Sequence, residues 1–197
     1  MNRRIITTLC LMAVAIGMMA SNDVKTAQNL ARRILGNKAR TVVFRKIDAT
    51  KDVFTLESKQ GKVVISANNA NSMAMGLNHY LKNYCHTAIS WYKDAPIELP
   101  ETMPAVKENV RIESRLPMRF FLNYCTYGYS LPWWTWREWE HFIDWMALNG
   151  VNMPLAITGQ ESTWYNVWKK FGLNDEEIRS FFSGPAYLGW HRMCNFD

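Results

Sequence analysis

Residues 118–183 alternate strand and helix signals, and too little chain surrounds them to finish the fold they begin. Residues 118–124 read as a strand, 135–148 as a helix, 151–157 as a second strand, 160–171 as a helix, and a further helix opens at Asn174. Strand, helix, strand, helix is the rhythm of a βα barrel or an open parallel sheet. A complete (β/α)8 barrel takes ~250 residues, and only about 80 are present from residue 118 onward. Two strands cannot close a barrel. The expected fold class is therefore α/β, with a barrel that is begun and left incomplete.

Punctuation along this segment is clear. Thr135 and Glu138 have capping-box spacing, and Trp139, Phe142, Ile143 and Met146 repeat at helical intervals as a candidate buried stripe. Asn149-Gly150 stops that helix. Residues 151–157 are short and apolar, as in a parallel strand covered on both faces. Asn174 and Glu177 form a second cap signal, and Gly184-Pro185 closes the last helix.

Upstream lies a different kind of sequence. Residues 23–35 carry Val24, Ala27, Ala31, Ile34 and Leu35 at helical spacing, ended by Gly36-Asn37. Residues 41–47, 53–57 and 62–66 are β-rich, the last two joined by the turn Lys59-Gln60-Gly61. A helix with Met73, Leu77, Tyr80, Leu81 and Tyr84 on one face follows. Residues 91–110, with Pro96, Pro100 and Pro104, read as a linker or edge segment. The expected organisation is an export signal over 1–20, a small α/β domain over 21–110 and the start of a barrel over 111–197, with the boundary near 105–115.

The first twenty residues have the order of a secretory signal: Arg3 and Arg4, an apolar run over 5–20, then Ser21, Asn22 and Asp23. That run is short for a membrane span, which needs ~20 apolar residues. The expected location is periplasmic or secreted, with no membrane attachment after cleavage. The formal charge is +6, two units of which come from the signal arginines. The remaining basic residues are scattered, whereas a nucleic-acid surface concentrates them in a stripe, so no nucleic-acid partner is expected. Cys85, Cys125 and Cys194 are an odd, sparse set that does not make a disulfide framework. Without a Cys-x-x-Cys pair or a His cluster, no metal site is proposed.

Eight of the nine tryptophans fall between Trp133 and Trp190. In βα barrels function gathers at the C-terminal ends of the strands. There the chain places Asn123 to Ser130 after the first strand and Thr158-Gly159-Gln160-Glu161 after the second. Aromatic walls with a few polar groups suit a sugar, which has apolar C–H faces and hydroxyl edges. Trp139, Trp145, Trp164 and Trp168 fit helix packing, while Tyr129 and Trp190 lie in expected loops. A glycosidase needs two carboxylates, ~5–5.5 Å apart for retention and ~6.5–9.5 Å for inversion. Glu161 follows a strand but has no convincing partner: Asp144 is within a helix and Glu138 is used by a cap. Hydrogen bonding at the barrel rim is the expected role of Glu161.

Taken in order, Asn123-x-Cys125-Thr126-x-x-Tyr129-Ser130, Trp133-Trp134-x-Trp136, the run from Ile143 to Gly150, Gly159-Gln160-Glu161 and Gly184-Pro185-Ala186-x-Leu188-x-Trp190-x-Arg192-Met193-x-Asn195 resemble the α-N-acetylglucosaminidase family, glycoside hydrolase family 89. The resemblance is dense over 115–195 and looser over 23–110, where that family has a small α/β domain. It implies a retaining exo-enzyme that removes terminal α-linked N-acetylglucosamine without a metal or organic cofactor. Two glutamates on later barrel strands would act as acid/base and nucleophile. Neither lies within this chain, so the catalytic residues are expected beyond Asp197 and the chain, as an N-terminal part, is expected to be inactive alone. By motif position, Asn123, Cys125, Tyr129, Trp190 and Met193 would line the sugar pocket. Asn123 would meet a hydroxyl, and Tyr129 and Trp190 would form walls. Cys125 would be a small buried contact, since nothing offers it an activating base. Cys194 departs from the family pattern, which implies glycine there. The implied partner is a glycan ending in α-linked N-acetylglucosamine. A carbohydrate-binding module using Tyr129 and Trp190, or a different hexosaminidase-type barrel enzyme, are the competing readings.

Overall fold

Asn69 starts the helix around which the N-terminal half is organised. Its backbone is extended, and its side-chain oxygen accepts the Ser72 N–H at 2.8 Å, satisfying one of the orphan donors at a helix start. In the computed structural model, which describes residues 22–92, 96–129 and 131–192, this helix is α2, Ala70–Asn83. It follows α1 (residues 22–35), β1 (Val42–Lys46), β2 (Val53–Lys59) and β3 (Lys62–Ala67). The export signal expected over 1–20 lies outside the described residues.

The described chain divides into two compact units, the first comprising residues up to Arg119 together with 142–152. Its sheet has the order β1-β3-β2-β4, where β4 is Val110–Glu113. β3 pairs parallel with β1 and antiparallel with β2. Gln60 and Gly61, both at positive φ, form the two-residue turn between β2 and β3, the combination whose twist suits a tight hairpin. Strand alternation places Val63, Ile65 and Ala67 on one face beside Val42, Phe44, Phe54 and Leu56. Ala27, Leu30 and Ala31 of α1, and Met73, Leu77, Tyr80 and Leu81 of α2, complete that core. The approach of α2 to the sheet is close. A Cβ on Gly76 would lie 2.6 Å from Ile65 Cγ2.

The Pro- and Glu-rich segment is fastened along this unit. Tyr80 Oη donates to the Pro104 carbonyl at 2.7 Å, and Val106 N–H donates to Ser58 Oγ at 2.7 Å. The segment then enters β4, which pairs with β2. Periodicity alone does not mark β4, because three of its four residues are exposed. Tyr80 and Cys85 are buried together, and burial pushes both ionisations up. Neither group is therefore prepared as a base or nucleophile.

Residues 142–152 belong to the first unit and close it. Arg33 donates to both carboxylate oxygens of Asp144 at 2.6 Å, and Asp144 is only 4% exposed. Asn78 Nδ2 donates to the Leu148 carbonyl at 2.8 Å, and Leu148 joins the core. Gly150 ends the helix at φ +78°, as the Asn149-Gly150 signal predicts. Arg119 then gathers the loops. It donates to Asp52 at 2.6 Å, to Leu116 O at 2.8 Å, to Asn71 at 3.2 Å and to the Gly150 carbonyl. Burial works to raise the Asp52 pKa, but hydrogen bonds from Arg119 and Asn69 outweigh it and hold the carboxyl below its usual value.

The second unit comprises residues 120–141 and 153 onward. It holds β5 (Phe120–Phe121), α3 (Tyr124–Tyr127), β6 (Met153–Pro154), α5 (Gln160–Lys170), α6 (Asp175–Phe181) and α7 (Leu188–Arg192). Helix α4, Trp136–Leu148, is shared between the units along its length. β5 and β6 pair in parallel, as the βα rhythm predicts, but both strands are far shorter than their apolar runs. Leu122 turns to φ +79° and ends β5, and Pro154 brings no N–H to the ladder of β6. The fold class is mixed α/β with an incomplete barrel. The helical stripe also shifts. Phe142 and Met146 are buried, but Ile143 is 44% exposed and Asp144 takes the position beside Arg33. Of the cap signals, Asn174 and Glu177 form a full reciprocal box. At Thr135 the Glu138 carboxylate accepts from both the Thr135 N–H and its hydroxyl. α5 and α6 pack through aromatic edges, with Trp168 and Phe181 centred 4.7 Å apart at 88°.

Two consequences are measurable. Gly76→Ala raises helix propensity, yet the contact with Ile65 makes it overpacking, so a loss of about 1–3 kcal/mol is expected in a denaturant melt. Asp52 contributes stability that is fully present above the unfolded carboxyl pKa of ~3.9 and is lost as pH falls through its lower folded value. Arg119→Met should flatten this acid limb, and an unchanged limb in thermal melts below about pH 4 would refute the assignment.

Candidate functional site

Just after β5 the chain turns sharply and exposes polar and aromatic groups. Leu122, buried yet at positive φ, redirects the backbone, a conformation uncommon for a branched residue and worth a functional question. Asn123 then caps α3, its Oδ1 accepting the Thr126 N–H at 3.1 Å and the Thr126 hydroxyl at 3.0 Å. The cap occupies the oxygen. The amide Nδ2 makes no hydrogen bond among the described residues and remains a donor for a ligand oxygen.

α3 is a single turn whose two sides differ. Tyr127 points inward, 6% exposed, and its hydroxyl donates to the Leu155 carbonyl. Burial pushes its ionisation up. Tyr129, just past the turn, is 70% exposed. Cys125 is half-buried and forms no disulfide among the described residues.

Trp190 arrives on α7 and meets Tyr129 edge to face, with ring centroids 5.7 Å apart at 87°. Two glycines permit this meeting. A Cβ on Gly128 would stand 2.5 Å from Trp190 Nε1, and one on Gly189 would stand 2.7 Å from the Tyr124 carbonyl oxygen. Gly128 has φ −86°, so its use is the missing side chain rather than backbone freedom. Asn123, Cys125 and Tyr129 thus share one turn, and Trp190 is placed against it. Met193 lies outside the described residues. Nothing in the sequence pattern marks Gly189 or Tyr127 as site residues, and Gly128 reads there only as a loop glycine flanked by tyrosines.

The loop after β6 supplies the other side of this end of the unit. Gly159 takes φ +90°, which glycine adopts at no steric cost, and Glu161 falls in the first turn of α5, where the helix dipole favours an anion. A cavity of about 90 Å³ lies against it, lined in part by Tyr127, Trp134, Trp139, Ile157, Glu161 and Leu188. This space is smaller than ordinary ligand pockets, which run from ~300 Å³ upward. The other two acids considered are otherwise engaged. Asp144 holds Arg33. Glu138 is bound to Thr135, whose hydroxyl and N–H hold its pKa below the ordinary value. Among the described residues no group of three His, Cys, Asp or Glu side chains could hold a metal ion.

Residues 25–105 match the alpha-N-acetylglucosaminidase N-terminal domain, and residues 119–197 match the alpha-N-acetylglucosaminidase tim-barrel domain. The chain belongs to the alpha-N-acetylglucosaminidase family. Human alpha-N-acetylglucosaminidase is 40% identical over 134 residues, which are 68% of this chain and 18% of the human protein. A family 89 glycoside hydrolase from Clostridium perfringens, solved with 2-acetamido-1,2-dideoxynojirmycin, is 39% identical and superposes with a TM-score of 0.78. Another structure of the Clostridium perfringens family 89 protein, in complex with its substrate GlcNAc-alpha-1,4-galactose, superposes with a TM-score of 0.80 at the same identity. In each the match covers 88% of this chain and 20% of the other. The chain therefore spans about a fifth of the length of these relatives. Its two matched segments follow the family order, N-terminal domain first and barrel second.

Proposed function

We propose that the protein carrying this chain is a glycoside hydrolase that removes terminal α-linked N-acetylglucosamine from glycans with retention of configuration. This chain supplies the N-terminal α/β domain over 21–110 and the opening of the catalytic barrel over 111–197. The observation that carries the proposal is the aromatic corner of Tyr129 and Trp190, with the Asn123 amide beside it, in a chain similar to a family 89 protein that holds GlcNAc-alpha-1,4-galactose.

In this reading Tyr129 and Trp190 are pocket walls against the apolar face of the sugar. Asn123 donates Nδ2 to a hydroxyl and Cys125 is a small contact, and Met193 is assigned to the lining by motif position alone. The reacting carboxylates come from elsewhere in the protein, since a retaining pair must stand ~5–5.5 Å apart and Glu138 and Asp144 are committed to a cap and an ion pair. No metal or organic cofactor takes part. Arg3-Arg4 followed by the apolar run over 5–20 supports export to the periplasm or the medium.

The complete reading frame containing this chain should cleave aryl α-N-acetylglucosaminides and leave the β-anomers intact. Cleavage of the β-anomer alone would move the protein to another hexosaminidase class. Trp190→Ala should raise KM about tenfold or more, as expected when an aromatic wall is removed from a sugar site. N-terminal sequencing of the exported product should begin at Ser21, and an intact Met1 would remove the export proposal.

A further inference from the structure

The Gly159-Gln160-Glu161 motif is left unused by the pocket described above, and its geometry gives it a task. Gly159, at φ +90°, bends the chain after β6 so that Glu161 enters α5 facing the small cavity beneath α3 and α7. Tyr127, on the inner side of α3, lines that cavity from one direction, and Leu188 and Gly189 line it from another. These are the neighbours of Tyr129 and Trp190. The cavity offers about 90 Å³, less than the ~300 Å³ of ordinary ligand pockets, which favours contact of Glu161 with protein groups. The lining around it is largely aromatic and aliphatic, and Glu161 itself is partly withdrawn from solvent. Little slack exists above it, because α7 already approaches the Tyr124 carbonyl as closely as a glycine allows.

We propose that Glu161 is a positioning residue that holds the Trp190-bearing segment against the Tyr129 turn and so sets the width of the aromatic wall. The inference rests on the reading of Tyr129 and Trp190 as sugar contacts. A wall contact is made in the ground state and the transition state alike, so its misplacement raises KM and leaves kcat nearly unchanged.

The test uses the complete protein, with Glu161→Gln and Glu161→Ala beside Trp190→Ala, assayed on an aryl α-N-acetylglucosaminide and titrated with 2-acetamido-1,2-dideoxynojirmycin. Glu161→Gln should raise KM and inhibitor Kd by about 3–10-fold with kcat within about twofold. Glu161→Ala should raise them further. A kcat loss of about a thousandfold or more would place Glu161 among the reacting carboxylates and overturn the proposal. A lowered Tm with KM and Kd unmoved would make Glu161 a structural brace only, and also overturns it. If Trp190→Ala leaves KM and Kd unmoved while the unsubstituted protein is active, the wall reading itself falls and this proposal with it. Absence of both turnover and inhibitor binding in the unsubstituted protein overturns the glycosidase reading and this inference together.

Discussion

Arg119 carries the constraint on which the first unit depends. One guanidinium reaches the Asp52 carboxylate, the Asn71 amide and the carbonyls of Leu116 and Gly150. A rigid, planar set of five donors can hold several loops at fixed angles, which a lysine cannot. The loops so held are not neighbours in sequence. One enters β2, one opens α2, one leaves β4 and one ends α4. The bidentate Arg33–Asp144 pair repeats the device nearby. Removing Arg33 would leave the buried Asp144 carboxylate unpaired, and removing either Arg119 or Asp52 would leave a largely buried charge, so both pairs act as latches whose loss costs more than their formation contributes.

The local elements of this unit are legible in the sequence because each is specified locally. Apolar spacing marks α1 and α2, and Gln60-Gly61 marks the hairpin. β4 is hidden because its stability comes from pairing with β2 and not from its own pattern. The apolar runs at 118–124 and 151–157 mislead in the opposite sense. They carry the hydrophobicity of strands buried between neighbours, yet β5 and β6 each have two residues and, among the described residues, pair only with each other. Apolar content reports the environment a segment is suited to, and strand length reports the partners present.

The site divides in the same way. Tyr129 is legible because it stands exposed in a turn where packing does not explain a large aromatic, whereas Trp190, expected in a loop, lies on the short helix α7. Asn123 is legible as a polar group at a strand end, but its double duty is not: the oxygen belongs to the helix cap and only the amide is left for a ligand. Gly128 and Gly189 are invisible without the contact between α3 and α7, since nothing in their backbone angles or spacing demands glycine. They matter because two aromatic segments could not otherwise come so close. In the sequence Glu161 is a carboxylate past a strand without a partner acid, which predicts hydrogen bonding at the barrel rim. In the structure it lines a small cavity together with Tyr127, Leu188 and Gly189.

The separation of Glu161 from the sugar wall bears on how such a site divides its work. Under the proposed function, bond cleavage belongs to a carboxylate pair at the glycosidic oxygen and anomeric carbon. Walls and hydroxyl donors remote from that bond contribute by orienting the sugar, and orientation to well under an ångström governs whether the reacting atoms meet. An edge-to-face aromatic pair suits that task because rings have few rotamers and large contact area. It is only as exact as the segments that carry it, and here those segments meet through glycines with no side chain to adjust. A close-packed contact of this kind transmits displacement instead of absorbing it. On the proposed reading, the cost of that precision is sensitivity to residues that never touch the sugar, Glu161 among them.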